Sequence, residues 1–260
     1  MAEPLPLSIT DLGDGTPVLI LHGLFGRRRN WQAIQKRLSS VARIVTADMR
    51  NHGDSPWDDA MSYPAMAADL GKLIDDLDSG PVVVVGHSMG GKAAMTLALT
   101  HPERVLGLMV IDIAPVTYEH SYMPYIDAMR SVPLGELQRR SEAEPYMTEA
   151  IPDPGVRAFL LQNLGQDETG LKWQVNLDAI ARGLPDILEF PHGAGHPYEG
   201  PALFVRGANS DFVQDSHTPQ IDNLFPAAEH ADIAGAGHWV HAEKPEEIIR
   251  HINDFTDSVA

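Results

Sequence analysis

At 260 residues with 43% apolar content, the chain is long enough for one large α/β domain, or a core with an insertion, and too apolar to be disordered. A formal net charge of −17 repels nucleic acid and anionic membranes at long range, so neither is expected as a partner. No cysteine occurs and the twelve histidines are scattered, which excludes a disulfide framework and a thiolate metal site and makes a reducing cytoplasm the expected compartment.

The opening "MAEPLPLSIT" has no basic region followed by an apolar run, and no stretch reaches the roughly 18 apolar residues that a membrane helix needs. A soluble, unexported protein is expected, as a monomer or small homo-oligomer. The first strand-like run is "PVLILHG" at 17–23, continuing into "HGLFG" and then "RRR" at 27–29, which reads as a solvated loop. "ARIVTADMR" at 42–50 is the second. In "MAADLGKLIDDL", Met66, Leu70, Leu73, Ile74 and Leu77 share one helix face. "PVVVVGHS" at 81–88 is the next strand, followed by a helical run in which Ala93, Ala94, Leu97 and Ala98 share a face and which Pro102 ends.

"VLGLMVIDIA" at 105–114 is a further strand, after which the alternation breaks. Residues 116–192 hold helical pieces such as "YMPYIDAM", "PGVRAFLLQNL" and "WQVNLDAIARGL", without a valine-rich strand. They are expected to form a helical cap on a core built from 1–115 and 193–260. "PALFVRGA" at 201–208 and "HADIAGAG" at 230–237 complete the strands, and "KPEEIIRHINDF" forms the last helix, with Ile248, Ile249, Ile252 and Phe255 on one side. Near-continuous apolar strands alternating with helices predict a mostly parallel, doubly wound sheet.

Gly86, Ser88 and Gly90 form G-x-S-x-G where a strand turns into a helix. In that setting a strained turn presents one hydroxyl at the carboxyl edge of the sheet, and the glycines avoid collisions with neighbouring backbone. A serine needs a base to act as a nucleophile. His238, in the loop between the last strand and the last helix, is placed to be that base; His241 is its nearest rival, His22 belongs to "HGLFG", and His87 is expected to point away. The backbone N–H groups of Leu24 and Met89, with Phe25 as a further option, are the expected oxyanion donors.

"HGLFG", "DMRNHGDS", "GHSMGGKAAM", "VIDIAPV" and "AGAGHWVHAEKP" together resemble the α/β-hydrolase superfamily and, more narrowly, its bacterial YbfF-type esterase branch. The resemblance covers roughly 17–115 and 200–255. It implies an α/β-hydrolase fold with a helical cap inserted after the sixth strand, and hydrolysis of acyl esters and acyl-CoA thioesters. It also places the usual acid three residues past the glycine of "PALFVRG", which is Ser210, with Asp211 next to it. Asp112 ends the strand after the nucleophile strand, where a buried carboxylate is costly unless a group such as His238 bonds to it. Asp112 is therefore preferred as the acid, Asp211 is the alternative and Asp178 a distant third.

The expected chemistry is a Ser88, His238, Asp112 triad acting through an acyl-enzyme on small acyl esters, with no metal or organic cofactor. Tyr118, Tyr122, Met123, Tyr125, Met129, Phe159 and Trp173 are candidates for an apolar acyl pocket, and Arg27, Arg28 and Arg29 for contact with a CoA phosphate. The alternatives are a carbon-carbon bond hydrolase or cofactor-free perhydrolase on the same scaffold, and a non-catalytic binding protein that keeps the pocket.

Overall fold

A computed structural model describes residues 3–191, 193 and 195–259. In chain order its elements begin with β1 (Ile9–Leu12), β2 (Pro17–Leu21), α1 (Gln32–Leu38), β3 (Arg43–Ala47), α2 (Tyr63–Asp76), β4 (Val82–His87), α3 (Met89–Thr100) and β5 (Val105–Ile111). There follow α4 (Met123–Arg130), α5 (Glu144–Met147), α6 (Pro154–Leu161), β6 (Leu164–Asp167), β7 (Gly170–Trp173) and α7 (Leu177–Leu188). The chain closes with β8 (Ala202–Gly207), α8 (Thr218–Leu224), β9 (Ala228–Ile233), α9 (Val240–Glu243) and α10 (Pro245–Val259).

The main sheet has the order β1-β3-β2-β4-β5-β8-β9, and every pair is parallel except β1 with β3. The valine run explains why its centre is covered on both sides. Val82 and Val84 pack into the cluster that contains Leu70 of α2 and Ala93 and Leu97 of α3. Val83 and Val85 point the other way, into the cluster that holds Leu38 of α1 and Ile248, Ile252 and Phe255 of α10. All four valines are fully buried. Side chains that alternate across a pleat require apolar residues at every position when both faces are covered.

β3 and β4 leave β2 on opposite sides. The loops after β2 and β4 therefore face one another across a crevice at the carboxyl ends of the strands, the place where open α/β sheets bind ligands. This crevice sets the position of the functional residues.

Three features depart from the sequence reading. β1 was not foreseen; it is a short edge strand, Ile9-Thr10-Asp11-Leu12, with half its residues polar. The segment between β5 and β8 is not purely helical, because β6 and β7 form an antiparallel hairpin closed at Gly170, whose φ is 118°. Only four residues long each and largely uncovered, these strands carry no valine-rich signal. The helical segment also leaves the sheet after the fifth strand of the chain, not the sixth, since β1 alone precedes β2. The expected boundary between 192 and 193 falls at His192, outside the described residues. Among the described residues no helix is long and apolar enough to cross a membrane.

Candidate active site

Ser88 stands between β4 and α3 with φ 53° and ψ −121°, a backbone conformation that L-residues rarely adopt and that costs on the order of 1–3 kcal/mol. The turn is held from below, since the Ser88 N–H donates to the Ile111 carbonyl of β5 at 3.0 Å. It is also tight: a Cβ on Gly86 would lie 2.4 Å from the Gly90 carbonyl oxygen, so only glycine fits there. The serine side chain thus has one way to go, outward over the sheet edge.

His238, in the loop between β9 and α9, meets it. The Ser88 hydroxyl lies 3.1 Å from His238 Nε2, and His238 Nδ1 lies 2.7 Å from Asp112 Oδ2. Asp112 follows β5, is fully buried and has φ 52°. Its carboxylate is well supplied with donors: the Gly207 N–H reaches Oδ1 at 3.0 Å, and the Ser210 hydroxyl donates to Oδ2. Phe212 stacks on the imidazole, with ring centroids 3.8 Å apart and planes at 17°. Asp211 is exposed, and its carboxylate makes no hydrogen bond or ion pair among the described residues. Asp178 pairs with Arg130, far along the chain in α7. The structure thus brings Ser88, His238 and Asp112 together, and leaves Asp211 and Asp178 apart from them.

The other histidines sort by their hydrogen bonds. His87 is buried and its Nε2–H donates to the His238 carbonyl oxygen at 2.8 Å, which pins the loop that carries the imidazole. His241 lies against Trp31, with centroids 4.4 Å apart and planes at 20°, and its Nδ1 has no partner among the described residues. Burial, with a smaller contribution from the nearby His238, pushes its pKa down to about 3. It is an aromatic packing element and makes no hydrogen bond with Ser88.

The loop after β2 forms the facing wall. A Cβ on Gly23 would sit 3.0 Å from the Ser88 Cβ, so the absence of a side chain is what lets this backbone approach the serine. The N–H groups of Leu24 and Met89 take part in no hydrogen bond among the described residues; for Met89 this follows from its place in the first turn of α3. Phe25 is different, because its N–H donates to His52 Nε2 at 3.1 Å. That bond removes Phe25 from the set of expected donors.

His52, which the sequence reading left without a role, is one of two buried props under this loop. Its Nδ1–H donates to the Arg50 carbonyl at 2.9 Å, while its Nε2 accepts from Phe25. His22 donates from Nδ1 to the Gly23 carbonyl at 2.8 Å and accepts the Met49 N–H at Nε2, 2.9 Å away. Each ring uses one nitrogen as donor and the other as acceptor, a pattern open only to neutral imidazole. Burial accordingly lowers His22 to about 4 and His52 to about 3.

Two clefts adjoin Ser88. The first is walled by Phe25, Tyr122, Tyr125, Phe159, Leu160 and Trp239. The second, the smaller, lies between Leu24, Met89, Lys92, Tyr63, Tyr118 and His120. Of the aromatic and methionine residues expected to line a pocket, Tyr118, Tyr122, Tyr125 and Phe159 do so. Met129 is fully buried, Met123 packs against the core, and the Trp173 indole donates to the Met129 carbonyl at 3.0 Å. The arginine triplet is not a free basic patch. Arg27 is buried, with Nη1 donating to the Gln162 carbonyl and Gln174 Oε1, and Arg28 pairs with Asp48 and Asp54. Arg29 alone of the three is exposed.

Residues 16–146 match the family described as "alpha/beta hydrolase fold". The sn-1-specific diacylglycerol lipase ABHD11 of Xenopus tropicalis is 43% identical over 260 residues, spanning 95% of this chain and 81% of that protein. The chain belongs to the alpha/beta hydrolase family. Esterase YbfF of Escherichia coli K12 is 36% identical across 93% of each chain, which bears out the resemblance to YbfF-type esterases. A solved marine microorganism esterase superposes with a TM-score of 0.93 at 37% identity, covering 96% of this chain and 99% of that one. With relatives of this kind along nearly its whole length, this member of the family is a hydrolase.

Proposed function

We propose that this hydrolase cleaves small acyl esters through a Ser88, His238, Asp112 triad and an acyl-enzyme intermediate. The observation that carries the reading is the unbroken line of contacts from the Ser88 hydroxyl through His238, 3.1 Å and then 2.7 Å, to a buried carboxylate. The esterase and lipase relatives support the ester as the bond attacked.

In this reading His238 Nε2 takes the Ser88 proton as the oxygen attacks the acyl carbon. The oxyanion is met by the Leu24 and Met89 N–H groups, each worth about 3 kcal/mol because the charge develops only in the transition state. The imidazolium, stabilised by Asp112, then protonates the departing alcohol or thiol. Water enters, gives its proton to His238 and releases the acid. Residues 116–192 act as a cap whose Tyr122, Tyr125 and Phe159 close the first cleft over the serine. Thioesters fit the same steps, with a short thiol; the engagement of Arg27 and Arg28 within the fold argues against their use on a CoA phosphate. The expected setting is the cytoplasm.

A longer substrate is a second reading. Phe159 and Trp239 also line a wide surface groove beside Arg29 and Gln162, which would take the long chain of a glyceride.

A fluorophosphonate probe tests the chemistry, and the expected result is labelling of the native chain that vanishes in Ser88→Ala. Absence of labelling in the native chain would identify a binding protein instead. p-Nitrophenyl esters and thioesters from acetate to palmitate separate the two substrate readings. A dienone acid and peroxide-dependent halogenation test the carbon-carbon hydrolase and perhydrolase alternatives.

A further inference from the structure

Lys92 is unusual for where it lies. One helical turn beyond Ser88 in α3, it is 1% exposed, yet it makes no salt bridge to any carboxylate among the described residues. Its Nζ donates to the Leu188 and Glu189 carbonyls, both at 2.8 Å, and lies 4.7 Å from the Tyr118 ring centroid and 5.6 Å from that of Tyr63. An ammonium has three N–H bonds. Two are occupied, and the third has no oxygen acceptor among the described residues.

A neutral side chain would anchor two carbonyls without the cost of burying a charge that no carboxylate contacts. That cost becomes intelligible if the counterion arrives with the ligand. Lys92 lines the second cleft together with Ser88, Leu24 and Met89, and no aspartate or glutamate lines it. His120 stands exposed at the edge of the same cleft, and Tyr63 and Tyr118 flank the amine. Glu189 contributes its backbone carbonyl, while its side chain belongs to an exposed residue. The cleft therefore offers beside Ser88 a buried amine that no carboxylate among the described residues contacts; burial lowers its pKa to about 7, with only the Glu189 charge acting the other way, so an arriving anion would favour its protonated form.

We propose that this second cleft is an anion subsite, in which Lys92 receives a carboxylate carried by the substrate a few bonds from the scissile carbonyl. The preferred substrates are then half-esters of short dicarboxylic acids, cleaved to the diacid and the alcohol. The proposal rests on the esterase reading above and narrows its substrate class. The cleft is narrow, closed in by Tyr63, Tyr118, Tyr122, Ile187 and Phe212, which suits a short group and not a long chain on this side of Ser88.

The test compares kcat/KM for monomethyl glutarate and methyl pentanoate, which match in carbon count and differ in the terminal carboxylate. A charge-assisted hydrogen bond gives an expected preference of about tenfold or more for the half-ester. In Lys92→Met the preference should disappear; a merely structural lysine would lower both substrates together and leave the ratio intact. So that a folding failure of that variant leaves the test intact, inhibition is measured on the native chain as well. Glutarate should compete with p-nitrophenyl acetate at concentrations where glutaramide does not. A native ratio near one, a ratio that survives Lys92→Met, or equal inhibition by glutarate and glutaramide overturns the subsite. If neither methyl ester is cleaved and the fluorophosphonate fails to label, it is the esterase reading that has failed instead.

Discussion

The Ser210 hydroxyl donates to Asp112 Oδ2, the same carboxylate oxygen that lies 2.7 Å from His238 Nδ1. Ser210 stands where the family resemblance places the acid, and here it contacts the carboxylate of Asp112, the proposed acid, supplied by another strand. With Gly207 on Oδ1, it fixes the carboxylate and aims it at the imidazole. Ser210→Ala is expected to lower kcat about tenfold while leaving KM nearly unchanged, as loss of one hydrogen bond to a charged group predicts.

Asp112→Asn should lower kcat by about 10⁴, through the wrong imidazole tautomer. Asp211→Asn, on an exposed side chain, should change it little. Steady-state kinetics on a p-nitrophenyl ester decide between them; the reverse ranking would reassign the acid.

His52→Leu removes the acceptor of the Phe25 N–H. The turn that presents Leu24 then loses its support. A fall in kcat of about 10²–10³ is expected, the size associated with losing one oxyanion donor, with the fluorophosphonate labelling rate falling in parallel. Unchanged kcat would show that the turn holds without the prop.

Stability should drop as the solution is acidified. His22, His52 and His241 have folded pKa values near 4, 3 and 3, below the unfolded value of 6.5. Their contribution is therefore complete above 6.5 and is lost as pH falls towards the folded values, because the unfolded chain takes up protons that the folded chain refuses. Each site contributes a slope of up to about 1.4 kcal/mol per pH unit in that window. Urea denaturation at pH 7, 5.5 and 4.5 measures it. His241→Phe, which keeps the stacking on Trp31 and deletes the orphan nitrogen, should reduce the slope by about a quarter, since burial holds His87 low as well and one of four such protons is removed.

The legible parts of the fold were those written in continuous apolar runs. Every strand from β2 to β5, with β8 and β9, lies in or overlaps such a run, and the proximity of Ser88 to His238 follows from both residues standing at strand ends on one edge of the sheet. β1 and the β6–β7 hairpin were not legible, since four half-exposed residues carry no periodicity to read. His52 and Phe212 escaped notice for another reason. Their contacts, a ring nitrogen on a backbone amide 27 positions away and a phenyl face on an imidazole, arise from loop packing and leave no spacing in the chain. Arg27 was misread because a charge run suggests solvent, whereas its guanidinium is satisfied inside by Gln162 and Gln174.

The Leu24 turn is fastened from above as well as from beneath. Asn163 Nδ2 donates to the Phe25 carbonyl at 2.6 Å, while Arg27 beside it reaches across to Gln162 and Gln174. Roof and floor of the cavity consequently share fixings. Grafting the intervening segment from a relative would carry over part of the machinery's alignment along with its shape. A graft that reproduced every pocket side chain but omitted Asn163 would leave the amide at position 24 steadied from one side alone.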